Sequence, residues 1–377
     1  MHIVFLTNEY PKKDEPHGGI GSFVKFLAEK LIAKGYGVSI LGINNNCKNE
    51  FSNQSGIKIY RLKKSTWKFA KFYQHKNRIL KKLKEIHNEN PIDIVEGSEL
   101  NFAFFPKRTP YKKLIRLHGG HHFFARELNK KPVFWRGYQE KKSFKNADIF
   151  IAVSNYVGNQ TKKYLKSNFD FSTIYNGIQL DYFYESDTEK EVPFRLLFIG
   201  TVCEKKGIHK LIEALPVIKN KFPNVHLDII GRDWFMKNGK SYINYLKKTI
   251  NENIKDSVSF RGNIPYSKIP YEIEKAQICV YPSLAESFGL TIIEAMSMGK
   301  SIAASNIEPF KEIVADSNSV SFFNPNNSKE ITEKICELLS DHSLRQQLIT
   351  RSRNHIFNRF DSSKIVEQNI TFYKSVI

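Results

Sequence analysis

Twice along this chain a short apolar run meets a glycine-bearing turn and gives way to a longer amphipathic stretch. The first instance opens at His2 and the second at Arg195, and the same alternation then repeats through each half. Short apolar runs alternating with helical periods are the pattern of a parallel sheet with crossover helices, which excludes all-helical and all-strand architectures. In the first half the pattern predicts strands at His2–Thr7, Val38–Ile43, Lys58–Leu62, Ile92–Glu96, Lys113–Leu117, Ile149–Val153 and Ser172–Tyr175, with helices over Gly21–Ala33, Trp67–His87, Phe134–Phe144 and Asn155–Leu165. The second half predicts strands at Arg195–Ile199, His226–Ile230, Ser257–Phe260, Ile278–Tyr281, Ser301–Ala304 and Val320–Phe322, with helices over Ile208–Lys221, Tyr242–Asn251, Leu290–Met298 and Lys329–Ser340. Between the halves, QLDYFYESDTEKEVP breaks both periods and reads as a linker.

A length of 377 residues suits two domains, since domains cluster at roughly 100–200 residues. The expected division is residues 1–178, a linker at 179–193, a second domain at 194–360, and a last helix at 361–377 packing back on the first. A composition 41% hydrophobic and 25% charged is that of a soluble globular protein. No apolar run approaches the ~18–20 residues of a membrane span. The opening HIVFLT runs straight into polar residues and reads as a buried strand, not a signal peptide. Cys47, Cys203, Cys279 and Cys336 are widely spaced and form no CxxC pair, which argues against zinc and disulfides and fits a reducing cytoplasm.

The charge is strongly basic and uneven. Lys and Arg number 58 against 38 Asp and Glu, a net of +20. Up to residue 190 the count is 33 against 18, so +15 falls in the first half, and residues 51–84 hold eleven basic side chains with no acidic one. Such a balance speaks to partners: nucleic acid, an anionic membrane surface or a phosphorylated substrate. No nucleic-acid-binding module is recognisable, and no nucleic-acid partner is expected. A helix mixing Trp67, Phe69, Phe72 and Tyr73 with lysines reads as a membrane-surface element across the basic region 58–84, or as a solvated face.

Four stretches carry candidate chemistry. HGGIGSF (His17–Phe23) follows the first strand and opens a helix, where backbone N–H groups and the helix terminus favour an anion. It reads equally as a flexible turn. It is not GxGxxG, and no acidic residue ends the second strand to hold a ribose, so a dinucleotide cofactor is disfavoured. RLHGGHHFF (Arg116–Phe124) places His118 directly after a strand. The spacing of His118, His121 and His122 would suit a metal on a helix, but the two glycines predict a loop. FIGTVCEKKG (Phe198–Gly207) sets Lys205 and Lys206 where an anion at the next helix would meet them, or where they would simply be solvated. PSLAESFGLTIIEAMSMGKSIAAS (Pro282–Ser305) is the most informative. Glu286 lies at a strand's carboxyl end, and Glu294, seven intervening residues later, lies in the most apolar stretch of the following helix. Carboxylates there accept hydrogen bonds from sugar or ribose hydroxyls, beside the N–H groups of Phe288, Gly289 and Leu290.

Taken together, the chain resembles the retaining glycosyltransferases of family 4. The residues that carry the resemblance are the GGIG loop, LHG, VSNYV, YNGI, the EKKG turn, IIGRD, FRGNIP and ESFGLTIIEAM. The resemblance covers nearly the whole chain and implies the α/β GT-B fold, two Rossmann-like parallel-sheet domains facing a central cleft. It implies that the first domain binds the acceptor and the second a nucleotide-diphosphate sugar. By the same likeness, Glu286 contacts the donor sugar and Glu294 the ribose, and His118 lies near the transferred sugar. Lys206, with Lys205, meets the diphosphate. The loop containing Arg261, Gly262 and Ile264 lies along the base. Gly19 and Gly21 face the diphosphate and sugar, and the backbone from Ser287 through Phe288 and Gly289 to Leu290 holds sugar and phosphates. No metal and no other cofactor is expected, in keeping with the absence of an Asp-x-Asp motif near a strand end. The family places an arginine directly after the glycine ending the first strand of the second domain; here that residue is Thr201, which leaves Lys206 and Lys205 to carry the charge. The expected activity is transfer, with retention, of a hexosyl or N-acetylhexosaminyl group to a glycan or lipid-linked acceptor in cell-surface polysaccharide or glycolipid assembly. The expected location is cytoplasmic, peripheral at the inner face of the plasma membrane. A nucleotide-sugar epimerase on the same fold and a non-catalytic membrane- or polyanion-binding protein are the competing readings. An epimerase would consume donor with no acceptor, and in a non-catalytic protein Glu286 would be dispensable.

Overall fold

The computed structural model describes residues 1–12, 19–44, 46, 48–65, 71–236 and 238–377. His17, Gly18, Cys47 and the head of one expected helix, Trp67, Lys68 and Phe69, lie outside these. The chain divides into two compact units, Met1–Asn176 with Ser363–Ile377, and Gly177–Ser362.

The first unit carries strands β1 (His2–Leu6), β2 (Gly37–Ile43), β3 (Glu50–Gln54), β4 (Ile57–Leu62), β5 (Ile94–Gly97), β6 (Lys112–Leu117), β7 (Ile149–Ala152) and β8 (Ser172–Thr173). Its helices are α1 (Gly19–Ala33), α2 (Lys71–Glu89), α3 (His121–Glu127), α4 (Phe134–Asn146) and α5 (Asn155–Leu165). The strands form one sheet in the order β3-β4-β2-β1-β5-β6-β7-β8. All pairs are parallel except β3 with β4. HIVFL is central and buried on both faces, as a continuous apolar run in a parallel sheet should be. Its alternate side chains serve two cores. Ile3 and Phe5 join α1, while Val4 and Leu6 join Leu83 and Ile86 of α2 on the other side.

Two elements of the first unit depart from the sequence expectation. β3 was not foreseen, because EFSNQ is a polar edge strand with no apolar alternation. Its signal is the Ser55-Gly56 turn, where φ values of 49° and 90° make the two-residue connection favoured in hairpins. The loop expected across His121 and His122 is helix α3 instead. Gly120 is its N-cap, so the glycines end before the helix begins and the histidines become its first residues.

The second unit carries β9 (Arg195–Ile199), β10 (His226–Ile230), β11 (Val258–Gly262), β12 (Ile278–Tyr281), β13 (Ser301–Ser305) and β14 (Ser321–Phe323). Its helices are α6 (Ile208–Lys221), α7 (Tyr242–Thr249), α8 (Ile269–Glu274), α9 (Leu290–Ser297), α10 (Glu308–Val314), α11 (Ser328–Ser340) and α12 (His342–Arg359). The six strands run in the order β11-β10-β9-β12-β13-β14, every pair parallel. α6 and α11 cover one face through Ile208, Leu211, Leu215, Ile331 and Ile335, packed on Leu196, Phe198 and Ile229. A last helix, α13 (Ser362–Val376), belongs with the first unit, where Ile365, Val366, Ile370 and Tyr373 join the core of Ile3 and Phe5. Where the chain enters and leaves the second unit, the amide of Ile178 donates to the carbonyl of Phe360 and the amide of Ser362 to the carbonyl of Ile178. Among the described residues no helix is long and apolar enough to cross a membrane.

In both sheets the strand order reverses beside the first strand of the unit, between β1 and β5 and between β9 and β12. Ligands of such folds bind beyond the carboxyl ends of the strands at these reversals.

Candidate functional site

In the second unit the reversal brings two motifs together. β9 ends at Ile199 and the chain passes through Gly200 and one short 3-10 turn, Glu204–Lys206, before α6. β12 ends at Tyr281 and the chain passes through Pro282–Gly289 before α9. The amides of Leu284 and Ala285 donate to the carbonyl of Lys205, at 2.8 and 3.3 Å, so one turn rests on the other. Gly207 makes that contact possible. Its φ is +67°, and a Cβ there would lie 1.8 Å from the carbonyl oxygen of Pro282. Gly289 caps α9 with a φ of +111°, and a Cβ would meet the Phe310 ring at 2.6 Å.

The side chains of Lys206 and Glu286 form an ion pair across this seam. The Ser283 hydroxyl donates to the same carboxylate oxygen of Glu286 at 2.9 Å. Glu286 is buried. Burial works to raise its carboxyl, but Lys206, Lys205 and the Ser283 hydroxyl outweigh it and hold the group below the ordinary carboxylate range. Burial lowers Lys205, with Glu286 opposing. The seam therefore holds a carboxylate kept charged by two ammonium groups.

Glu294, in α9, is only 5% exposed, so it is not a surface acid. Tyr266 donates to it at 2.9 Å, and Tyr182 stacks on Tyr266 with 5.5 Å between ring centres and 12° between planes. Burial pushes the Glu294 carboxyl up to about 7, against the Tyr266 hydroxyl and Lys206, which lower it. Ser287, Gly289 and Leu290 are half-buried, whereas the Phe288 ring is buried edge-on against Phe360. Phe288 thus contributes its backbone to this turn and its side chain to the core.

Thr201 stands at the end of β9. Its hydroxyl accepts from Nε of Arg232, at 3.4 Å, and Arg232 leaves the end of the neighbouring β10. Among the described residues no carboxylate pairs with Arg232. The Arg261 guanidinium is engaged by Asp228 and Glu272, at 3.5 and 3.4 Å, in a network shared with Arg195. Gly262 accepts from the amide of Gly231 at 2.8 Å, and Ile264 is half-buried.

The remaining candidates lie in the first unit. Gly19 and Gly21 form the first turn of α1, with Gly21 packed against the carbonyl of Glu9. His118 follows β6. Its amide donates to Glu99 at 2.6 Å, and its ring meets Phe23 edge-on. Burial and then Arg116 push its imidazole below the ordinary value. Burial raises Glu99, to about 8, so it holds a proton at neutral pH. The three histidines do not converge. His121 Nε2 meets the amide of Val133 at 2.7 Å, and His122 bonds Glu140 through both its ring and its amide. Among the described residues no three His, Cys, Asp or Glu side chains gather as a metal set.

Sequence reasoning did not single out Ser283, Tyr182, Tyr266, Glu99 or Arg232. Arg232 had a signal: it sits in IIGRD at a strand's carboxyl end, beside the position where Thr201 departs from the family. The others become visible only when the strands are placed side by side.

Two Rossmann-like parallel-sheet units of this order define the GT-B class of glycosyltransferases. Among solved structures, sucrose-phosphate synthase from Thermosynechococcus elongatus superposes with a TM-score of 0.85 at 19% identity, covering 100% of this chain and 99% of that one. Anabaena HepE, solved in complex with UDP, superposes with a TM-score of 0.76 at 18% identity and full coverage of both chains. The family model described as Glycosyl transferases group 1 matches residues 184–355, and that described as Glycosyltransferase Family 4 matches residues 17–182. The chain belongs to this family of glycosyltransferases. An uncharacterised glycosyltransferase of Methanocaldococcus jannaschii is 24% identical to it, over 99% of this chain and 98% of that relative.

Proposed function

We propose that the chain transfers a sugar, with retention, from a nucleoside-diphosphate sugar to a hydroxyl of a glycan or lipid-linked acceptor. Residues 194–360 hold the donor and residues 1–178 the acceptor. The observation that carries this reading is the meeting of Lys206 with Glu286 at the strand-order reversal. Breaking the bond to an anomeric carbon leaves negative charge on the departing diphosphate, and preorganised cations at that point lower the barrier. Lys206 and Lys205 supply that charge, with the first turn of α9 beside them. Arg232 supplies the guanidinium that Thr201 lacks, reaching the same place from the next strand. Glu286, kept charged, accepts hydrogen bonds from sugar hydroxyls. Glu294 does so from the ribose, and the turn at Arg261–Ile264 lies along the base. Gly19 and Gly21 serve the diphosphate and sugar of the donor, and His118 the transferred sugar. These groups perform the electrostatic work without a metal. HepE was solved with UDP, which makes a uridine diphosphate the first donor nucleotide to test. The product belongs to cell-surface polysaccharide or glycolipid assembly, and the basic first unit rests against an anionic membrane on its cytoplasmic side.

A thermal-shift screen of nucleoside diphosphates and their sugars, with and without magnesium, tests the donor, because a ligand of the native state alone raises the melting temperature. A metal-independent shift is expected. Glu286→Gln should keep the fold and cut transfer by roughly a hundredfold or more. Full transfer in that variant would remove Glu286 from the mechanism, and donor consumption at the full rate with no acceptor would favour an epimerase.

A further inference from the structure

Helix α4 is built inside out. Its buried face carries Gln139, Glu140 and Ser143 beside Gly137 and Phe144. Two of the three inward polar side chains have partners, while Gln139 Nε2 and Glu140 Oε1 are buried without one among the described residues. Glu140 takes the amide and ring of His122, and Ser143 Oγ accepts from the amide of Phe102 at 3.0 Å. The outward face carries Phe134, 87% exposed, with Trp135 at 48% and Tyr138 at 41%. A helix of a soluble domain normally turns such residues the other way.

These rings are not isolated. Trp135 stacks on Tyr138 at 5.8 Å and on Phe104 at 6.1 Å, and Phe104 meets Phe72 of α2 edge-on at 6.4 Å. Phe72 and its neighbour Tyr73 are exposed as well. One aromatic strip therefore crosses from α2 to α4. A contiguous exposed apolar patch of this kind marks an interaction surface.

The charges flanking the strip have one sign. α4 exposes Arg136, Lys141, Lys142 and Lys145, and its one acid, Glu140, is buried. Lys142 lies over the Tyr138 ring and Lys76 over the Tyr73 ring, at 5.6 and 4.1 Å. By contrast, several cations of the 58–84 stretch already have partners. Lys58 pairs with Glu89 and Lys82 with Glu85; Arg61 bonds the carbonyls of Tyr10 and Pro11, and Arg78 that of Lys63.

We propose that Phe72, Phe104 and the outward face of α4 form a docking surface for an anionic lipid bilayer. Phe134 and Trp135 enter the boundary between headgroups and acyl chains, and the flanking lysines and arginines lie at the level of the phosphates. A bilayer offers an apolar depth beneath an anionic layer, which is the arrangement of this surface; a protein interface would show a core depleted of charge inside a polar rim of both signs. The inference deepens the membrane reading above and rests on it, moving the contact from the basic stretch to α4.

The test uses the full chain with Trp67→Phe and Trp234→Phe, which leaves Trp135 as its one tryptophan. Phosphatidylcholine vesicles with phosphatidylglycerol should bind it at least roughly tenfold more tightly than vesicles without, and salt should weaken the binding. Trp135 fluorescence should shift to the blue and be quenched by brominated acyl chains. Phe134→Ser with Trp135→Ser, made in the otherwise native chain, should cost roughly tenfold or more in vesicle affinity. Lys141→Glu with Lys142→Glu should erase the preference for phosphatidylglycerol. Nucleotide binding by calorimetry, measured on each variant, should not change. Full vesicle binding by the serine variant, or Trp135 fluorescence unmoved on bound vesicles, overturns the proposal while leaving the donor reading intact. So does an oligothymidylate that shifts Trp135 where vesicles do not. Absence of nucleotide binding in the native chain strikes the donor reading instead.

Discussion

Glu294 and Glu286 occupy the same seam of the second unit and differ in charge state because their neighbours differ. Glu286 has two ammonium groups beside it and stays ionised. Glu294 has a tyrosine hydroxyl and burial, and its carboxyl rises to about 7. A raised acid adds stability to the ligand-free fold below the unfolded value near 4.5, and that contribution is lost as pH rises through about 7. If Glu294 holds the ribose as proposed, the ribose hydroxyls donate to it, so a bound donor would need Glu294 ionised and would expel its proton below about 7. The affinity for a nucleotide sugar, whose diphosphate has no group titrating near neutrality, should therefore weaken as pH falls below that value, by up to about tenfold per unit. Glu294→Gln should flatten the profile. Tyr266→Phe should move the break upward, because the phenol lowers this carboxyl. A profile unaffected by Glu294→Gln would remove it from the ribose site. Arg232→Ala should cost roughly ten- to hundredfold in nucleoside-diphosphate affinity and leave nucleoside binding alone. Thr201→Arg in that background should restore it, and failure of both arms would show that Arg232 does not face the diphosphate.

At the scale of elements, the decisive joint is the stacking of the β9–α6 turn on the β12–α9 turn. Gly207→Ala should strain a left-handed backbone by about 1–2 kcal/mol and also push the Pro282 carbonyl from its place. Gly239 is the control. It has a φ of +75° with nothing within 4 Å of a built Cβ, so an alanine there meets backbone strain alone. Calorimetric melting should fall further for Gly207→Ala than for Gly239→Ala, and only the former should weaken nucleotide binding. Equal effects would mean that the joint does not set the site. Most elements of the second unit were legible in the sequence, because β9, β10, β12 and α6 each carry a clear period over their own length. α8, α10 and α12 were not: the first two are short, and HSLRQQLITRSRNHIFNR is polar nearly all round.

Over the whole molecule, the last helix completes the first unit rather than the second. Arg116, buried in β6, is held by Glu96, Asn369 and Tyr373. Burial disfavours its charge, but Glu96 and Tyr373 hold it charged. Ending the chain at Asp361 removes Asn369 and Tyr373 and exposes the core that Ile365, Val366 and Ile370 cover. Three such side chains at ~1.5–3 kcal/mol each reach roughly 5–9 kcal/mol, comparable with the whole stability of a domain. The truncated chain should lose the melting transition of its first unit. A truncated protein that melts like the full chain would show α13 to be dispensable.

What the sequence determined by itself is local. The alternation of apolar runs with helical periods set the fold class, and the glutamates of ESFGLTIIEAM, with seven residues between them, marked the strand end and the helix that follows. These follow from side-chain spacing within a few turns of chain, which needs no knowledge of neighbours. What only the tertiary structure decided is which strand ends adjoin. Lys206 and Glu286 stand 80 residues apart, and nothing in either motif names the other. They meet because β9 and β12 are neighbours at the reversal of the sheet. In the same way, Arg232 reaches Thr201 because β10 lies beside β9. The aromatic strip exists because the polar face of α4 found its partners, His122 and Phe102, inside. Strand order and helix orientation are settled by long-range burial, where each side chain's environment depends on segments far along the chain.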